Sequence, residues 1–586
     1  MGVRLLFLVE LRETPFFTEH FSDSKIYLHL ASRIRGEGIP HVYFMSPLYP
    51  YLLAAIWTLT DNPELWVRLL QALFGGATTL LTYVLGRSLF GRVTGGLAAL
   101  IVALYAPLIY YDALLLTESL LTLLLTGHMT ILVTAWKSNN IRWWIAAGLM
   151  LGLAVITRAT VLLFPLVLFL VWIFLDKKTR PKTSNLLAYV LAAMLLLLPT
   201  TIRNAAVEGV FVPVTSSFGF NLYAGNNADA TGQYSMPEKI DILRDPGGKF
   251  WVERQTDEGM NAVEVSAYWR SQALAWMSAN PGEAAALFFR KVLLFFHPAE
   301  IDQLGLSLRF FTREYGPVPG IPAAAYPILL VLSMIGVAVT ERKRTVAWLP
   351  VLFILVYVMA TAFFFVSARL RLPIMPLLIL YASFAAVGIV QRLRERKFRE
   401  LRFPVLSGGG IAITVLLLQP GVQQVFEQEY IKLGKAAFLR ESYSEAEDLF
   451  RRSLAQRETV DGLVNLGNAL AAQGQPGEAA EKYREAIRRD STSALAWFNF
   501  GNLHMQNGKP QYAYGFWKRA TEYDPRMPEA RRNFGLLLMQ AGRFREAEEQ
   551  LQIYLTLEED PARRNEIARD LERLQHLIDA GPSSRE

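Results

Sequence analysis

What most constrains this chain is the order of its parts. Long apolar segments fill roughly the first 420 residues, and a charged, periodic stretch follows them. About 20 apolar residues in a row are enough to cross a hydrocarbon core of about 30 Å. Windows of this kind occupy 149–174 (interrupted by Arg158), 186–200 with its flanks, 324–339 and 347–366. The expected fold class is therefore all-α: a polytopic membrane helix bundle followed by a soluble helical part.

Loop charge supplies a path through the bilayer. Basic residues cluster at Arg87 and Arg92, Lys137 and Arg142, 176–182, 341–344 and 392–402. Placing all five clusters in the cytoplasm orders the spans. Segments 66–90, 118–136 and 161–175 run inward, and 95–111, 143–157 and 186–202 run outward. A long outer segment follows, about 203–320, then three more spans. A last crossing, about 404–418 and reaching at most to Val425, leads outward. The net charge of +7 thus reads as a topology signal, not a nucleic-acid surface. The chain has no cysteine, so disulfide and thiolate chemistry are excluded while the compartment stays open.

Two early segments fit this scheme poorly. Residues 1–17 reach only about 25 Å as a helix and carry charges, so the first helix reads as truncated, or tilted and half-inserted. No small-residue cleavage site follows it, which argues against a signal peptide. The short stretch 46–60 reads as a helix lying at the membrane surface.

From residue 433 a period of about 34 residues recurs. Leu433-Gly434, Leu466-Gly467, Phe500-Gly501 and Phe534-Gly535 mark one helix of each unit, and an alanine follows twelve residues after each glycine, at Ala446, Ala479, Ala513 and Ala547. Four residues later come Phe450, Tyr483, Trp517 and Leu551. Small residues let two helices approach, and the large one fills the gap to the next pair. This pattern resembles the tetratricopeptide repeat. The expected organisation is a membrane domain at 1–425, with outer loops about 15–60 and 203–320, a repeat domain at 426–578 and a disordered tail at 579–586.

Three elements near the predicted outer ends of the spans could carry chemistry. The first is Asp23 with Tyr27 one helical turn later; Ser22 or Asp23 would also serve as an ordinary helix cap. The second is Asp112 with Thr117-Glu118 at a span start, where a carboxylate is also favoured by the helix dipole. The third is the set Arg158, Arg203, Arg369 and Arg371. On this topology all four face outward, against the positive-inside bias, and either an anionic ligand or lipid headgroups could account for them. Arginine offers a planar fork to phosphate oxygens, and an incoming hydroxyl needs a carboxylate to take its proton. A second carboxylate could position the acceptor or, with Asp23, hold a divalent cation such as Mg or Mn. The sequence holds no His/Cys metal cluster, no P-loop and no nucleophile elbow. Chemistry on a lipid-phosphate donor is favoured over chemistry on a nucleotide sugar.

Taken in order, Asp23 and Tyr27, Pro47-Leu48-Tyr49-Pro50, Thr117-Glu118, 156–160 around Arg158, and 368–373 with Arg369 and Arg371 resemble multispanning C-type glycosyltransferases, nearest the protein O-mannosyltransferase and aminoarabinose transferase-like group. The stretch 221–227 (NLYAGNN) resembles an outer-loop motif of bacterial members. The resemblance covers about residues 1–400. It implies a polyprenyl-phosphate sugar donor, transfer on the outer face to a protein or lipid hydroxyl, Asp23 as the catalytic carboxylate and Glu118 as a second acidic position. Arg158, Arg203, Arg369 and Arg371 would bind the donor phosphate, and Tyr27, Asp112 and His297 would contact substrate. A bacterial inner membrane with the repeats on the periplasmic side is the expected setting, and a protein partner on the repeats is expected too. Competing readings are a noncatalytic scaffold that recruits envelope proteins, a glycan ligase or polymerase with a late outer loop, and a transporter. A scaffold does not need a carboxylate facing a basic pocket, the late outer loop is short, and no charge sits deep in a span apart from arginines near the ends.

Overall fold

The computed structural model describes all residues except 22, 37, 40, 177–179, 237–239, 241–244, 257–258, 301–306, 342–344, 422–425, 559–560 and 580–586. Parts of two expected basic loops, the cap candidate Ser22, the outer limit of the last crossing and nearly all of the expected disordered tail lie outside the described residues. The chain separates into two compact units, Met1–Gln423 and Gln424–Glu586. Among the described residues both are helical, and the one isolated β-bridge joins Tyr105 and Ile321.

Six helices of the first unit are long and apolar enough to cross a membrane: Pro63–Phe90, Glu118–Ser138, Thr183–Glu208, Thr345–Ala362, Ala368–Arg394 and Phe398–Leu417. Shorter apolar helices lie between them at Leu48–Leu59, Arg92–Leu104, Ile141–Thr157, Ala159–Phe174 and Ala323–Ala338. The span from Glu118 is the most enclosed, with 83% of its apolar window buried against 33% for Thr183–Glu208, so it forms the centre of the bundle. Lipid tails give apolar helices no hydrophobic reason to associate, so close packing at small residues has to hold them together. Gly148 and Gly152 lie against Tyr189 and Ala193; a Cβ on Gly148 would sit 2.2 Å from the Tyr189 carbonyl oxygen. Gly86 meets Gly95 in the same way, its Cβ position falling 2.7 Å from the Gly95 Cα.

The expected span 95–111 is broken in two. Helix Arg92–Leu104 stops at Tyr105, which is extended, and Ala106–Asp112 starts anew with a proline in its first turn. Tyr105 pairs with Ile321, and the amide of Ala106 donates to the Ile321 carbonyl at 2.8 Å. Pro107 has no N–H to carry the first ladder onward.

The short first helix, Gly2–Arg12, keeps its charge by pairing it. Arg4 is buried, and its Nε donates to Asp112 Oδ2 at 2.6 Å while Nη1 donates to the Ala103 carbonyl at 3.0 Å. Gly75 makes room for this pair; a Cβ there would lie 2.2 Å from both Arg4 Nε and Asp112 Oδ2. At the opposite end of the Glu118 span, Lys137 donates to Ser88 Oγ at 3.0 Å. Two of the basic clusters, around residues 87–92 and 137–142, therefore share one end of the bundle.

The second unit stacks four helix pairs, Glu427–Leu439 with Tyr443–Gln456, Val460–Ala472 with Pro476–Arg489, Ala494–Gln506 with Pro510–Tyr523, and Pro528–Gln540 with Phe544–Leu557, and ends with Pro561–Asp579. Each marker glycine faces the large residue of its own unit. A Cβ on Gly434, Gly467, Gly501 or Gly535 would come within 2.5, 2.6, 2.5 or 2.7 Å of Phe450, Tyr483, Trp517 or Leu551. The four alanines are fully buried.

Candidate active site

Four ionisable residues from distant parts of the first unit meet at one end of the bundle. Asp23 opens helix Asp23–Arg35, and Glu118 opens the central span. Arg158 is the extended residue that ends Ile141–Thr157. Arg369 lies in the 3-10 turn Ala368–Ile374 that leads into the span Met375–Arg394. Arg369 Nη2 donates to Asp23 Oδ2 at 2.6 Å, and its Nη1 lies 3.6 Å from Glu118 Oε1. Arg158 Nη2 donates to the same Glu118 oxygen at 2.7 Å and to Thr117 Oγ1 at 3.2 Å. The result is an alternating chain, Asp23 to Arg369 to Glu118 to Arg158.

Neighbouring contacts fix each member. The turn before Glu118 is gripped by Gln71, whose Nε2 donates to the Asp112 and Leu114 carbonyls at 3.0 and 2.6 Å. Gln71 in turn accepts from Tyr49 of the Pro47–Pro50 element at 2.6 Å, and Arg68 Nε donates to the Ala113 carbonyl at 3.1 Å. The Tyr27 ring packs edge-on against Tyr49 at 5.2 Å. Burial pushes the Tyr27 phenol up, and the Asp23 and Glu118 carboxylates push it further. It therefore stays protonated and cannot serve as a base. Beside Arg369, Tyr357 donates to the Leu370 carbonyl at 2.9 Å.

Exposure separates the two carboxylates. The Asp23 side chain is 17% exposed and that of Glu118 only 1%, so an acceptor can reach the first and not the second. Polar capacity is left over in the interior: Glu118 Oε2, Arg158 Nη1, Arg369 Nε, Thr160 Oγ1 and Ser367 Oγ are buried without a hydrogen-bond partner. Orphaned buried polar atoms are costly; the Arg158 and Arg369 N–H groups and the two hydroxyls can donate to a bound anion, while Glu118 Oε2 can only accept.

The other expected site residues go elsewhere. Asp112 is committed to Arg4. Arg203 donates to the backbone carbonyls of Ile39 and His41 and lies over the Tyr43 ring at 4.1 Å, so it ties down the loop after helix Asp23–Arg35. Arg371 donates to the His297 carbonyl and lies over the Tyr326 ring at 4.2 Å. His297 Nδ1 accepts from the Ala299 amide at 2.9 Å, and burial lowers its imidazole, which leaves it neutral. A divalent cation between Asp23 and Glu118 does not fit this arrangement. The Arg369 guanidinium already lies between them, and among the described residues no group of three or more His, Asp or Glu side chains converges. Thr117 and Thr160 belong to stretches the sequence singles out, whereas Tyr357 enters beside Arg369 without a sequence signal of its own.

Residues 45–202 match a family model described as dolichyl-phosphate-mannose-protein mannosyltransferase. The first unit thus contains a segment similar to that family. That segment contains Glu118 and Arg158; Asp23 and Arg369 lie outside it. Six long apolar helices and this match make the glycosyltransferase-like unit an integral membrane part. In the tail, 467–508 and 498–563 match tetratricopeptide repeat models. Solved structures similar to the tail include the MamA protein (18% identity, 27% of this chain and 96% of that one, TM-score 0.21). Others are a thermophilic TPR protein of Thermus thermophilus (22% identity, 26% and 82%, TM-score 0.23) and pilF of Pseudomonas aeruginosa (17% identity, 33% and 84%, TM-score 0.24). No curated protein matches the chain.

Proposed function

We propose that the first unit transfers a sugar from a polyprenyl-phosphate donor to a hydroxyl acceptor, a protein or an envelope lipid, on the outer membrane face. The observation that carries this reading is one partly exposed carboxylate, Asp23, joined through Arg369 and Glu118 to a second, half-buried guanidinium whose Nη1 has no partner. The acceptor hydroxyl gives its proton to Asp23, and its oxygen forms a bond to the anomeric carbon. The bond from that carbon to the donor phosphate breaks, and the electron pair leaves with the polyprenyl phosphate. Protonation of Asp23 weakens its hold on Arg369, whose fork then turns to the negative charge growing on the leaving phosphate. Sidedness follows from loop charge: the clusters at Arg87, Arg92, Lys137 and Arg142 occupy the end opposite Glu118, and such clusters stay in the cytoplasm.

The tail lies outside the cytoplasm in this reading. Its stacked helices recruit a protein acceptor and raise its local concentration. Turnover of the purified full chain with a polyprenyl-phosphate sugar tests the catalytic role. Asp23→Asn should lower the rate about 100- to 10,000-fold, as expected for loss of a general base, with the protein still folded. Near-normal turnover of that variant removes Asp23 from the chemistry, and no turnover by the natural protein leaves the scaffold reading in its place.

A further inference from the structure

The stretch 221–227 takes no part in the chain of charges, and yet it is built around one contact. Gly225 lies directly under the loop that follows helix Leu349–Ala362; a Cβ on it would fall 1.8 Å from the Phe364 carbonyl oxygen. Next to it, Asn226 is buried and uses both ends of its amide. Nδ2 donates to the Leu222 carbonyl at 2.8 Å and to the Phe363 carbonyl at 3.0 Å, while Oδ1 accepts from Lys291 Nζ at 2.8 Å. Lys291 is fully buried, and burial pulls its ammonium down to about 7. The Asn226 bond is the one hydrogen bond of its side chain among the described residues. A second tie lies just downstream, where the Val366 amide donates to the Gly232 carbonyl at 3.0 Å and Tyr234 packs edge-on against Phe365 at 5.2 Å. Three residues after Val366 comes Arg369.

We infer that Gly225 and Asn226, braced by Lys291, form a seat that holds the 363–367 loop so that Arg369 stays in register with Asp23, which makes them positioning residues for the transfer reaction. This rests on the donor reading above. The residue types are those the task needs. Only glycine permits the approach at 225. An amide at 226 donates to two carbonyls and still accepts from an ammonium, which a hydroxyl with its single proton cannot do. An aspartate there would keep the link to Lys291, now as an ion pair, and lose both the bond to Leu222 within its own helix and the one to Phe363.

Asn226→Asp is therefore the informative variant, since the brace to the outer segment survives while the loop is released. In the purified full chain it should keep a melting temperature close to that of the natural protein. It should speed hydrogen exchange at the amides of 363–367. It should also weaken binding of polyprenyl phosphate about tenfold or more, the equivalent of one hydrogen bond to a charged group. Gly225→Ala should do the same wherever it folds. On an Arg369→Ala background Asn226→Asp should cost nothing further, because residues that act as a unit are not additive. Unchanged exchange at 363–367 in Asn226→Asp overturns the seat, and so does an undiminished loss of affinity on the Arg369→Ala background. Should the natural protein bind no polyprenyl phosphate, the donor reading fails, and the exchange measurement still decides the seat by itself.

Discussion

Glu118 holds two cations with one oxygen. Its Oε1 lies 2.7 Å from Arg158 and 3.6 Å from Arg369, and its side chain is 1% exposed. Removing its charge would leave two guanidiniums facing each other in the interior. Breaking a buried pair from one side typically costs about 3–5 kcal/mol. Glu118→Gln should therefore lower the melting temperature of the full chain, and added polyprenyl phosphate should restore part of the loss by binding the folded state. A variant as stable as the natural protein, with no response to the lipid, would contradict the role. Glu118, Arg158 and Arg369 were legible in the sequence because each is a charge set against an apolar window, and Asp23 because the family resemblance singles it out. Their partners were not. Arg4 finds Asp112 across 108 positions and Lys291 finds Asn226 across 65, and no periodicity links such pairs. For that reason Asp112 read as a substrate contact when its carboxylate is committed to the first helix.

At the level of helices, the two units follow different rules of packing. In the repeats a glycine in one helix meets a large side chain in the next, so added volume has nowhere to go. Gly501→Ala would place a Cβ 2.5 Å from the Trp517 ring, and overpacking of this kind costs about 1–3 kcal/mol. Chemical denaturation of the full chain, followed through a signal from the tail, should show its midpoint lowered; an unchanged midpoint would mean the pair is loosely packed. Spacing revealed this unit well, because glycine, alanine and a large residue recur at fixed offsets. Breaks within the spans were harder to see. Hydropathy runs without interruption through Tyr105, and the helix stops there because its backbone bonds Ile321, more than two hundred residues away. Pro107 was the available hint. At Arg158 the hint was stronger, since a charge interrupts an otherwise apolar window.

For the whole molecule, the reading stands on sidedness and on chemistry. The chain contains no cysteine, so a single one placed at the exposed Ser491 reports location cleanly. Its backbone carbonyl, which accepts from Trp497 Nε1 at 2.8 Å, is kept in Ser491→Cys. A membrane-impermeant thiol reagent should label this variant in intact spheroplasts. Labelling only after the membrane is opened would put the tail, and with it the proposed recruitment of acceptor, on the cytoplasmic side. The central claim is that Asp23 takes the acceptor's proton during transfer of a lipid-carried sugar. Mass spectrometry of envelope proteins and lipids tests it most directly, comparing cells that carry the natural gene, the Asp23→Asn variant at equal abundance, or no gene. The account predicts a hexose- or pentose-sized mass addition in the first, absent from the other two. The same addition at full level in the Asp23→Asn cells, or in cells without the gene, would contradict it.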